Sequence, residues 1–277
     1  MTLQAIPDLR PKGRWLSRNP SKAWGEKFFL AYSPVWILVF GVVQRSGFGE
    51  RLGNLGNLLL AVALAAPLVA VPLLVRDESS LGRPWHRTYW FKFAVWVFVF
   101  AAIGSYFFSE YFFDVLGMVY HYPQLTWSLD STLLGSGKQT VPIVMYLHAW
   151  YFFATYHTCS VIAIRRVRTS RLGGSVVASA IAIAAAAWLF AWAEVFFTTG
   201  ESVAHQFRYE DIAWMLRWGT WFYACFFVVS FPMVYRLDEN PEDDWPLSRV
   251  VLEALATGML VFFLLDLFAR AIGARWA

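Results

Sequence analysis

The sequence predicts an all-α, polytopic membrane helix bundle of about seven transmembrane helices, with a cytoplasmic N-terminus. Three observations carry this. First, 58% of the 277 residues are hydrophobic, 19% are aromatic and only 15% are charged, and the mean hydropathy is +0.47. That exceeds what a soluble core of this length needs. Second, the apolar residues fall in runs of roughly 20, the length that crosses a bilayer as helix. Third, Lys and Arg gather at the ends of those runs. The net charge of +4 therefore reads as membrane topology, not as nucleic-acid binding.

The runs fall at 25–44, 56–75, 90–116, 142–164, 176–199, 213–235 and 250–272. A polar, basic segment, 1–24, precedes them, and 25–277 reads as one transmembrane domain with no cleavable signal ahead of it. Asn19-Pro20 is a start signal for the first helix, a cap residue followed by a proline in the first turn. The third run is long enough to tilt or to end in a turn near Gly117. Seven spans place the termini on opposite sides. The N-terminal side then holds 16 Lys and Arg and the other side 7, which together make the 23 in the chain. The richer side is the cytoplasmic one.

Connectivity alone puts Glu110, His148, Glu194 and Asp266 in the outer half of the membrane. Glu26 and His157 fall on the inner side. Glu194 stands out. It lies about 7 Å inside its helix end at 1.5 Å per residue, with no cation three or four positions away. An acid in lipid marks a functional site by default. Asp266 has Arg270 at ion-pair spacing. Glu26 has Lys22 nearby, and His148 suits an interhelical hydrogen bond. His148 and His157 are nine positions apart, so they point to opposite faces of one helix.

Several chemistries lack support. No two of the five histidines have metal-pair spacing on one helix. GSGKQT at 135–140 lacks the first glycine of a phosphate loop and has Gln139 where Ser or Thr is needed. There is no G-x-G-x-x-G or G-x-S-x-G. The acidic run DENPEDDWP at 238–246 reads as a solvated cytoplasmic loop. Cys159 and Cys225, inside apolar runs, read as packing residues. What remains is acid, base and aromatic chemistry in an apolar bundle.

Several stretches resemble the cycloeucalenol cycloisomerase family, the cyclopropyl sterol isomerases of plants. They include NPSKAWGEKFFLAYSPVW at 19–36, Trp85 with Tyr89-Trp90 and Lys92, and YFFDVLG at 111–117. Tyr156-His157 ahead of Arg165-Arg166 and AWAEV at 191–195 continue the likeness. FYACFFVVSFPMVYRLDE at 222–239 and DDWPLSRVVLEALATGMLVFFLLDL at 243–267 are the most specific. The resemblance spans roughly 19 to 268. The stretch from about 120 to 147 departs from it, and Glu110 and Asp114 do not fall on family carboxylates.

The resemblance implies a reaction: opening of a 9β,19-cyclopropane of a sterol to a Δ8 sterol with a C19 methyl. Nothing is oxidised, so no cofactor is expected; the partners are the sterol and the bilayer. A proton must reach C19, positive charge develops near C9, and a base removes the C8 proton. A carboxyl group in apolar surroundings resists ionisation and can act as an acid. Glu194 is therefore the expected acid or its orienting partner. His148, His157 or Asp266 is the expected base, and Glu26 joins the candidate set. Tyr106, Trp188, Trp192 and Tyr223 are candidates to face the developing cation. The same residues fit another sterol double-bond isomerase. A lipid carrier or proton-coupled transporter is the non-enzymatic alternative. Arginine outnumbers lysine 18 to 5, which suggests a bacterial inner membrane as host; in a eukaryote it would be the endoplasmic reticulum.

Overall fold

The computed structural model describes residues 13–75 and 78–274. Residues 1–12, half of the basic N-terminal segment, lie outside the described residues. Eight α-helices make up most of the described chain: α1 Pro20–Ser46, α2 Asn54–Ala65, α3 Pro67–Leu74, α4 Tyr89–Ile103, α5 Ile143–Arg168, α6 Val176–Thr198, α7 Ile212–Tyr235 and α8 Leu247–Ala271. The start signal for α1 is met. The Asn19 side chain accepts from Ser21 N at 3.1 Å and Lys22 N at 3.4 Å, with Pro20 in the first turn.

Among the described residues, five helices are long and apolar enough to cross a membrane: α1, α4 with its extension to Phe108, α6, α7 and α8. The expected second span is a pair, α2 and α3, bent by 43°. Pro67 opens α3 and Pro72 lies inside it, and proline interrupts the helical hydrogen-bond ladder. The expected fourth span is α5, which is too polar for the same criterion. Its surroundings explain this. It packs against α1, α2, α4, α6 and α7, so its polar residues meet protein rather than lipid. Outward faces are apolar, as at Leu38, Leu59, Phe196 and Phe263.

The termini of the helices sort into two ends. Side chains from the starts of α1 and α4, the end of α5 and the α7–α8 connection meet at one end. The ends of α1 and α6 and the starts of α5 and α7 line a cavity at the other. From α4 onward successive long helices thus alternate in direction, while α1 and α4 run the same way with the α2–α3 pair between them. Two features have no counterpart in the run of hydropathy. Past Ile103, α4 continues as two π-helical turns, Gly104–Phe108 and Tyr111–Val115. Two short strands, β1 Met118–Tyr120 and β2 Phe207–Tyr209, pair antiparallel over the cavity end, with Val119 opposite Arg208.

Candidate active site

The cavity at the strand-bearing end takes in about 1300 Å³ of space between the side chains, its open mouth included. Its wall is mostly apolar, with Phe40 from α1, Leu60 and Leu64 from α2, Phe152 and Phe153 from α5, and Phe226 from α7. The first π turn opens it: Gly104, Ser105 and Ser109 line it. Ser109 Oγ donates to Ser105 O at 2.9 Å, so its hydroxyl is spent within the helix. Such turns recur at functional sites.

Glu194 and His148 both line this cavity. The apolar face of α6 packs on α5 and α7 through Ala187, Ala191 and Val195, which turns Glu194 inward. The part of its side chain left accessible faces the cavity. The Tyr156 hydroxyl interacts with its carboxylate, and Tyr120, Tyr209 and Tyr223 lie within electrostatic range of it. Burial pushes the Tyr209 hydroxyl up to about 12, with Glu194 adding to the shift. Burial likewise raises Tyr120, with help from Tyr209 and Glu194. Both phenols therefore stay protonated near neutral pH, and the Tyr209 hydroxyl donates to Thr198 O at 3.1 Å.

His148 is held by rings alone. Phe40 meets it edge-on at 5.4 Å between centroids and Tyr151 lies at 5.7 Å. Among the described residues its ring nitrogens have no hydrogen-bond partner. An imidazole that faces a cavity with free nitrogens can take a proton. Tyr223 also lines the cavity and packs on Phe112 at 4.4 Å.

The other candidates sit elsewhere. His157 is fully buried with both nitrogens committed, Nδ1 to Phe153 O at 2.7 Å and Nε2 to Ser230 Oγ at 2.9 Å. Asp266 pairs with Arg270 at 3.0 Å on α8, the ion pair its spacing suggested. Tyr106 packs edge-on against Phe107, outside the cavity lining. Trp188 and Trp192 are 43% and 51% exposed on the outer face of α6. They are too far round the helix from Glu194 to share its cavity.

Glu26 belongs to a different centre at the opposite end. Arg165 grips it with Nη2 at 2.5 Å and Nη1 at 2.9 Å. Arg165 also binds Glu239 through Nε at 2.6 Å and Nη2 at 2.8 Å. Lys22 Nζ donates to Tyr235 O at 2.8 Å and Leu237 O at 2.6 Å, and pairs with Glu239 at 3.0 Å. Beside them Lys92 bridges Asp238 at 2.8 Å and Asp244 at 2.6 Å. Half of the acidic run 238–246 is thus not a solvated loop. Asp238 is 3% exposed with φ of 44°, and it caps Trp245 N at 2.8 Å. Burial opposes ionisation of Glu239, but Arg165 and Lys22 outweigh it and hold its carboxyl below the usual range. The same contest, won by Lys92 and Arg87, lowers Asp244.

Sequence reasoning missed Tyr156, Gln44 and Gln206 as companions of Glu194 and His148. Tyr156 hides among 12 tyrosines; only its packing on Phe190 of α6, at 4.9 Å between ring centroids, reveals that it faces α6. Gln44 and Gln206 lie 162 residues apart in sequence, and α1 meets the turn Glu201–Val203 just ahead of Gln206.

No family model matches the chain, and no solved structure does. A curated relative does: cycloeucalenol cycloisomerase of Arabidopsis thaliana is 37% identical over 264 residues, covering 94% of this chain and 89% of the relative. The match runs through both the cavity-lining helices and the ion-pair centre. The chain belongs to the cycloeucalenol cycloisomerase family.

Proposed function

We propose that this membrane isomerase opens the 9β,19-cyclopropane of a sterol such as cycloeucalenol, giving a Δ8 sterol such as obtusifoliol. Family membership supports the isomerase class. The observation that carries the mechanism is that Glu194 and His148 line one mostly apolar cavity. Glu194 gives its proton to C19, and the C9–C19 bond supplies the electron pair. Positive charge then develops at C9. His148 takes the C8 proton, and the C8–H electrons form the C8=C9 double bond. One proton enters and one leaves, so the sterol is isomerised with no change in oxidation state. The proton returns from His148 to Glu194 between turnovers.

The walls serve the cation. Phe152, Phe153, Phe226 and Tyr223 present ring faces or edges to the cavity, and a ring face attracts a nearby cation by about 0.5–2 kcal/mol. Exclusion of water from the apolar wall protects a carbocation from capture. The distribution of Lys and Arg supports a cytoplasmic ion-pair end, with the cavity then in the outer half of the membrane.

Product analysis tests this. Membranes containing the protein are incubated with a cyclopropyl sterol in deuterated water. A Δ8 product with one deuterium in its new methyl group is the expected result. Unchanged sterol with folded protein would refute the reading. Conversion of Δ8 sterols alone would keep the acid–base pair and replace the substrate.

A further inference from the structure

The cavity also contains a second polar arrangement, away from Glu194 and His148. Gln44, in the last turns of α1, and Gln206, just before β2, both line it. Their amides bond each other reciprocally. Gln44 Nε2 donates to Gln206 Oε1 at 2.8 Å, and Gln206 Nε2 donates to Gln44 Oε1 at 3.4 Å. Each amide has two N–H donors and two acceptor lone pairs. The reciprocal pair therefore uses one donor and one acceptor on each side, and no further partner is present among the described residues.

The pair is well held. Gln206 is 6% exposed; its backbone N donates to Val203 O and its O accepts from His121 N, both at 2.9 Å. Two polar groups of the lining, Asn57 and Thr198, are occupied. Asn57 Nδ2 is taken by Gly49 O at 2.9 Å and Leu52 O at 2.8 Å. The Thr198 hydroxyl donates to Glu194 O at 2.9 Å.

We propose that the Gln44–Gln206 pair binds the ring-A hydroxyl of the sterol and so sets the register of the cyclopropane against Glu194 and His148. This rests on the isomerase reading above. A hydroxyl both donates and accepts, and the amide pair offers both functions from one spot. The placement fits. Phe40 packs edge-on against His148, and Gln44 lies four residues later on α1, about one helical turn of 5.4 Å along the helix. In the sterol the hydroxyl carbon and the cyclopropane lie at opposite ends of ring A, a separation of that order. A buried site built to bond a hydroxyl discriminates against an analogue without one, because its own polar groups are left unpaired.

The test compares a cyclopropyl sterol with its 3-deoxy analogue, using the full chain in membranes. Wild type should convert the deoxy analogue with kcat/KM lower by about tenfold or more. Gln44→Leu and Gln206→Leu should raise KM for the hydroxylated sterol, leave kcat nearly intact, and bring the two sterols to within about twofold of each other. A hydroxyl preference unchanged in both variants, or absent in wild type, would overturn the proposal. Gln44 is only half-buried, so Gln44→Leu serves alone if Gln206→Leu fails to accumulate. Should wild type convert neither sterol, the isomerase reading has failed and the anchor is judged by equilibrium binding of the same two sterols. A preference for the hydroxyl that Gln44→Leu abolishes supports the anchor; equal affinities overturn it.

Discussion

The two ends of this bundle each bury ionisable groups, and they treat them in opposite ways. At the ion-pair end, Lys22, Glu26, Lys92, Arg165 and Asp238 are nearly or fully buried, and each has a charged partner. At the cavity end, Glu194 faces the cavity among phenols, Tyr156 beside it, with no cation as partner, and His148 lines the same cavity packed on rings. Complete pairing satisfies charges that the fold needs as fasteners between α1, α4, α5 and the α7–α8 connection. Incomplete pairing leaves groups able to change partners, which proton transfer requires. Burial alone does not separate the two; the list of partners does.

The largest effect that tests this contrast should come from Glu194→Gln. Removing a proton donor typically costs about 10²–10⁴ in rate. The variant should lose that much turnover while its thermal stability in detergent stays level or rises, since no partner is left charged and unpaired. Turnover within threefold of wild type would end the assignment of Glu194. At the other end, Glu26→Ala should do the reverse. It leaves Arg165 short of a buried partner, and breaking one side of a buried pair costs about 3–5 kcal/mol. A Glu26→Ala protein as stable as wild type would show that the ion-pair end is not a fastener. Next in size is His148→Asn, expected to lower kcat by about 10²-fold with little change in melting temperature. His157→Asn supplies the contrast: its nitrogens hold Phe153 O and Ser230, so its cost should appear in stability first.

The fold class was legible because hydropathy reports lipid contact. The same logic explains where it failed. α5 is wrapped by protein, so it lacks the apolar character that marks a span. The break at Pro67 and the π turns after Ile103 are backbone events inside apolar runs. Glu194 was conspicuous because it is alone in sequence. His157 was misleading for a physical reason: a buried histidine bonded to Ser230 looks, in sequence, like one with free nitrogens. Glu26 and the acidic run 238–246 looked unrelated because their bond partners lie 139 and 74 residues from Arg165's side of the pairings. Trp188 and Trp192 flank Glu194 in sequence yet point outward to the apolar surface, since residues two and six apart do not share its helix face.

The smallest effect concerns acid. Glu239 and Asp244 both have carboxyls held below their ordinary values in the folded protein, the pairing with cations outweighing burial. The unfolded chain therefore takes up protons at a higher pH than the folded one. The stability these groups contribute is fully present above the unfolded carboxylate values of about 4. It is lost as pH falls from there through the lower folded values. Melting temperature should thus drop on acidification below about pH 4.5, and the drop should be shallower in Glu239→Gln, which starts less stable because Arg165 and Lys22 lose a partner. An equally steep acid limb in Glu239→Gln would mean that the acid sensitivity arises elsewhere. It would also remove Glu239 from the fasteners that distinguish this end from the cavity.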